Sequence, residues 1–224
     1  GKTILPGMID VHVHLSAPGG IDPSANSYNP AQAMLDHLGP YLYSGVTTVR
    51  SVGDPLDAAL AVRAGVNSGA RLGAQLFTCG PMFTAQGGHG TEYFKGLPEN
   101  MRQQAEAQVV RMPGSPDQAR QQVDDLKQHG VDCIKAVLDY GAGTSVFHRL
   151  DSSEFQAIAQ ETHAQGLPLV VHTGDVRDVM DALAANAESI EHGSFREKIP
   201  DALFDQMARQ KTYYDPTLSV GEAY

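Results

Sequence analysis

A chain of 224 residues with 42% hydrophobic side chains can bury one sizeable core, and barrels of this length occur as single domains. Twenty-six acids against sixteen lysines and arginines give a formal charge of -10, which argues against a nucleic-acid partner or an anionic membrane surface and favours a small neutral or cationic ligand. No run approaches the ~20 apolar residues that cross a bilayer. Two cysteines, Cys79 and Cys133, make no disulfide framework; each falls in an apolar strand-like run and reads as an inert buried thiol. No signal peptide is visible, which leaves the compartment open with the cytoplasm marginally favoured.

Strand-like and helix-like stretches alternate along the chain. Residues 8–15 read as the first strand; a loop rich in Gly, Pro, Ser and Asn (16–30) leads to a helix over 31–43, interrupted near Gly39-Pro40, and a second strand over 46–50. A short helix over 58–67 precedes a third strand over 72–78. The segment 80–114 has little periodicity, and loops of that size are uncommon unless functional or disordered. Ser115-Pro116 supplies a cap and a first-turn proline for a helix ending at Gly130, and residues 131–138 form the fourth strand. Asp151-Ser152-Ser153-Glu154 opens the next helix in capping-box fashion, ahead of a fifth strand ending at His172. A helix over 176–185, a short sixth strand over 189–191, a helix over 200–210 and a seventh strand over 212–218 complete the pattern.

Strands alternating with helices imply parallel crossovers and the α/β class. An open doubly wound sheet gathers its site at one switch point, whereas chemistry-bearing residues here recur at the ends of the first, fourth, fifth and sixth strands. That distribution favours a (β/α)8 barrel of which seven strands can be counted. An incomplete barrel leaves unpaired edges on its first and last strands, so self-association or completion by another segment is expected.

In His12-Val13-His14, alternation along a strand puts both imidazoles on one face, a geometry that grips a single ion. Asp10 shares that parity and could orient a ligand imidazole. Lys135 follows Cys133-Ile134 in an apolar run; burial depresses the pKa of such an amine, and the neutral amine can add carbon dioxide to form a carbamate whose two oxygens bridge two ions. A lysine snorkelling out of the barrel end is the rival reading. His172 and His192, each closing an apolar run, would complete the second ion's shell. Tyr140, just past the fourth strand, could line the same mouth.

Leu5-Pro6-Gly7-Met8-Ile9-Asp10-Val11-His12-Val13-His14, Ser44 to Arg50, Gly87-Gly88-His89-Gly90, Ile134-Lys135, Val171-His172, Ser189 to Gly193 and Pro216-Thr217-Leu218 together resemble the amidohydrolase superfamily, in its imidazolonepropionase-like and Xaa-Pro-dipeptidase-like branch. The resemblance implies a hydrolase of carbon–nitrogen bonds with two divalent ions, zinc expected, acting on a small amide, cyclic amide or dipeptide-like substrate through a metal-bridging hydroxide. It places His12 and His14 on the more buried ion, carbamylated Lys135 between the two, His172 and His192 on the second, and His89 near the substrate as a stabiliser of the developing oxyanion. Residues 1–7 then look like the linker from a missing β-sandwich and 8–224 like a truncated barrel. Two departures stand out. The family's strand-eight aspartate has no counterpart, with Asp215 on strand seven a poor replacement, and Gly174 stands where many relatives carry a second histidine. An inactive remnant that keeps the metal-binding barrel and a mononuclear deaminase-like enzyme remain the alternatives.

Overall fold

The computed structural model describes residues 2–16, 29–95, 97–142 and 145–219. In chain order the elements are β1 (Met8–Val13), α1 (Pro30–Tyr43), β2 (Val46–Ser51), α2 (Leu56–Asn67), β3 (Gln75–Thr78), β4 (Met82–Phe83), a 3-10 turn (Glu92–Phe94), α3 (Glu99–Val109), β5 (Val110–Arg111) and α4 (Pro116–His129). There follow β6 (Ile134–Val137), a hairpin of β7 (Gly141–Ala142) and β8 (Ser145–Val146), α5 (Ser152–Ala164), β9 (Leu169–His172), α6 (Val176–Ala184), β10 (Ser189–Glu191), α7 (Asp201–Gln210) and β11 (Tyr213–Asp215).

One parallel sheet runs β1-β2-β3, and a second runs β11-β10-β9-β6-β4-β5. The main strands β6, β9, β10 and β11 stand side by side in chain order. That is the succession of a barrel; a doubly wound sheet would reverse direction at a switch point. Asp132 stitches the two sheets: its amide donates to the Thr78 carbonyl at 2.8 Å and its carboxylate accepts from the Thr78 amide at 2.8 Å. The fold is therefore the expected α/β barrel type, and among the described residues no strand joins β11 to β1.

β6 and β9 are buried along their whole length, as parallel strands covered on both faces must be. Their outer side chains pack with Val123 and Leu126 of α4, Phe155 and Ile158 of α5, and Val179 and Leu183 of α6. The starts of α4, α5 and α6 are sealed by side chains: Ser115 accepts from Gln118 N, Asp151 from Ser153 N and Asp175 from Asp178 N.

Three expectations need correction. Helix α1 runs unbroken through Gly39 and Pro40, and its end is closed by Ser44 N donating to Pro40 O and Gly45 N to Leu42 O. The segment 80–114 is not a long loop; it holds β4, the 3-10 turn, α3 and β5. Helix α3 is mostly polar, packing only Ala105 and Val109 half-buried on a small cluster with Met82 and Phe94, and it is braced by Glu99 accepting from Gln103 at 2.8 Å. Cys79 and Cys133 are not free thiols but a disulfide, formed across the β3–β6 seam in a small cluster with Val52 and Val170. Cys133 shares the inward parity of Lys135, so the bond lies inside the barrel wall.

Candidate active site

The four imidazoles singled out above meet in space. Ring centroids lie 5.4 Å apart for His12 and His14, 4.8 Å for His12 and His192, and 4.3 Å for His172 and His192. His89 adds a fifth ring, 4.7 Å from His172. Lys135 is 1% exposed and its Nζ has no hydrogen-bond partner. Its charge would depress the pKa of His12, His14, His172 and His192, so it lies near all four rings.

The chain reaches this arrangement by using strand ends. His12 is on β1 and His14 is the first residue beyond it; His172 closes β9; His192 follows β10 directly. Glu191 already faces inward, so plain alternation would send His192 out. A left-handed backbone at His192, with φ 68°, breaks the alternation and swings the ring back inside. Strained backbone of that kind persists where neighbours over-determine it. Here the His192 amide donates to the Asp215 carbonyl at 2.8 Å, and its Nδ1 lies 2.5 Å from Thr217 Oγ1.

Each of the other rings has a fixed outer contact. His14 Nδ1 donates to the Gly53 carbonyl at 3.0 Å, and His12 Nδ1 donates to Glu191 Oε2 at 2.5 Å. Both acceptors lack a proton to give, so both rings present a bare Nε2. His172 turns Nε2 toward Asp139 Oδ2 at 3.7 Å, an ion-pair distance too long for a hydrogen bond. Burial, reinforced by neighbouring Lys135 and imidazoles, keeps His12 and His192 far below the usual imidazole range. Burial takes His172 down to about 3 despite Asp139. Neutral imidazoles are the form that binds metal. Burial also pulls Lys135 down to about 8, against the opposing pull of Glu191.

A rim surrounds the cluster. His89 Nδ1 sits 2.7 Å from Glu92 Oε1, and its ring is flanked by Phe147 at 5.1 Å and Tyr93 at 6.0 Å. Tyr140 lies beside the cluster with Arg196 stacked 4.4 Å over its ring, and nearby Asp175 raises the pKa of its hydroxyl. Arg196 in turn reaches Asp139 at 3.1 Å and Asp175 at 3.2 Å, tying together the loops after β6, β9 and β10. Burial pushes Asp139 up, but His172, the Gly141 amide and Arg196 outweigh it and hold the carboxyl below its usual range.

Gly174 now has a physical explanation. A Cβ there would meet Asp139 Oδ1 at 2.1 Å, so the carboxylate occupies the space any side chain at 174 would need. Gly174→Ala is expected to cost ~1–3 kcal/mol by overpacking and to lower the melting temperature. An unchanged melt would mean that Asp139 moves aside freely.

Sequence reasoning missed the outer residues. Asp54, fully buried, accepts from the Leu15 and Ser16 amides at 2.9 and 2.8 Å and from Ser51 Oγ at 2.5 Å, pinning the chain just after His14. Glu191, Arg50, Asp139 and Glu92 were equally silent. A charged residue inside an apolar strand was the available signal, because such a group needs a partner. Asp215 is closer to the centre than expected: donor atoms of His12, Glu191 and Asp215 all lie within 4.8 Å of one another. That trio does not by itself make a cage, since Glu191 and His12 already contact each other directly.

A sequence model described as Amidohydrolase family matches residues 3–222. The chain is similar to the crystal structure of a Xaa-Pro dipeptidase with bound methionine, at 27% identity and TM-score 0.78, covering 97% of this chain and 54% of that one. It is also similar to a prolidase complexed with N-methylphosphonate-L-proline, at 25% identity and TM-score 0.79, with 97% and 54% covered. An enamidase from Eubacterium barkeri is 42% identical over 55 residues, which are 25% of this chain and 12% of the enamidase. The chain thus spans about half the length of the solved structures it matches.

Proposed function

The chain belongs to the amidohydrolase family, and on that premise we propose that it carries the metal centre of a hydrolase for carbon–nitrogen bonds, acting on an amide, cyclic amide or dipeptide-like substrate. The reading is carried by one observation: a fully buried lysine amine with no partner, close to a cluster of four imidazoles. An apolar core has no use for such a group, and leaving it unpaired is costly. Donors of this type suit divalent ions such as zinc.

His12 and His14 would hold one ion through Nε2, the nitrogens left bare by Glu191 and Gly53. His172 would use Nδ1, the nitrogen turned away from Asp139, and His192 would share the second ion. With its pKa near 8, Lys135 is partly neutral at physiological pH. Its nitrogen would attack carbon dioxide, losing a proton as the N–C bond forms, and the carbamate would offer the ions two oxygens that share one negative charge. When bound, the ions lower the pKa of a water nucleophile and polarise the scissile carbonyl. His89, ion-paired through Nδ1 to Glu92 and flanked by Phe147, would donate to the developing oxyanion from Nε2 as an imidazolium, and Tyr140 with Arg196 would form the adjoining wall.

Zinc analysis tests the lysine. Prepared in zinc and bicarbonate, the protein should hold about two ions per chain, and Lys135→Ala should lower that number. Equal zinc content in the two proteins would remove the bridging role.

A further inference from the structure

We propose that Glu191 is a positioning residue for His12, fixing which ring nitrogen faces the metal centre. The inference rests on the metal-centre reading above and assigns a task to a carboxylate that takes no part in it as a ligand.

Glu191 ends β10, and its side chain is wholly buried. Both oxygens are engaged. Oε2 accepts from His12 Nδ1 at 2.5 Å, while Oε1 accepts from Arg50 Nη2 at 2.9 Å and from Ser189 Oγ at 2.5 Å. Arg50 also donates through Nε to the Val11 carbonyl at 2.7 Å, so one network joins β1, β2 and β10 across the barrel interior. A carboxylate can only accept, which places the His12 proton on Nδ1 and the lone pair on Nε2.

The energetics point the same way. A buried ion pair repays its desolvation poorly, and an apolar pair of similar volume would serve stability as well or better. A tautomer lock is a use for which apolar residues are no substitute. Consecutive residues of β10 and its exit then serve one centre. His192 swings in through its left-handed backbone to offer an imidazole, and Glu191 holds the imidazole on the opposite strand.

The test is zinc titration into the chelator-stripped full chain, comparing wild type with Glu191→Gln, which keeps the side-chain volume. The tighter zinc site should weaken about 10- to 100-fold in the variant. The metal-free variant should melt lower because Arg50 loses its counter-charge, and adding Arg50→Met should remove the stranded cation and recover the melt without restoring zinc affinity. Tight-site affinity within about twofold of wild type would overturn the inference while leaving the metal centre standing. A wild-type chain that takes up no zinc would overturn both. Should Glu191→Gln fail to fold, long-range 1H–15N spectra of the metal-free wild type decide: a His12 proton on Nδ1 supports the lock, and a proton on Nε2 refutes it.

Discussion

His12→Asn should strip the protein of its tighter ion and of turnover together, with activity falling by about 10³-fold or more. The size follows from what the ion contributes: several kcal/mol of Lewis-acid stabilisation, at 1.36 kcal/mol per tenfold in rate. Asparagine removes the Nε2 lone pair, and it also leaves Glu191 and Arg50 facing a shorter side chain across the barrel. His129→Asn is the matched control. Its ring lies at the end of α4, bonded to the Asp125 carbonyl at 2.8 Å on the outer surface, and its loss should change neither zinc content nor turnover. Elemental analysis and an amide- or dipeptide-hydrolysis assay on the same preparations read both. Full zinc retention in His12→Asn would break the assignment of the imidazole ring as the centre.

The metal-free protein should lose stability steeply as the pH falls below about 6.5. His12, His14, His172 and His192 all have folded pKa values below their unfolded ones, burial being the main cause in each case. The unfolded chain therefore takes up four protons that the folded chain refuses, and stability is present above the ordinary imidazole pKa and lost on acidification. Asp178 acts in the opposite sense. Burial raises it to about 6, against the pull of Arg149, so the folded chain binds one proton between about 4 and 6 that the unfolded chain does not. Four less one leaves a net three protons, or about 4 kcal/mol per pH unit at ~1.4 kcal/mol per proton. Against a typical 5–15 kcal/mol of total stability, two units of acidification approach the limit. Urea melts of the stripped protein at pH 7, 6 and 5 should show the midpoint falling at each step. A midpoint that stays level would contradict the neutral-imidazole picture. Zinc should flatten the curve by competing for the same lone pairs.

The ordering of the strands was readable in the chain because a buried parallel strand is a short apolar run, and Ile134–Val137 and Leu169–His172 advertise themselves in that way. The ligand rings were readable for a related reason: a histidine closing such a run has to do something at a strand end. What escaped is pairing across large sequence separations. His12 and Glu191 are 179 residues apart, and Arg50 and Glu191 are 141 apart. Periodicity carries no information about which residues on non-adjacent strands will face one another. Helix α3 escaped for the opposite reason, since a surface helix that buries little beyond Ala105 and Val109 is set largely by local propensity and by pairs such as Glu99–Gln103. The disulfide escaped because its two partners approach only once Thr78 and Asp132 are hydrogen-bonded side by side.

The interlock of Asp139 with Gly174 sets a rule for anyone who would reshape the entrance. Positions 139 and 174 behave as a single locus, because the carboxyl group of one fills the volume the other gives up. Grafting a bulkier residue at 174 alone would evict the group that steadies both His172 and Arg196, so a redesign that widens the accepted substrates has to shorten 139 in the same step and supply Arg196 with a new counter-charge.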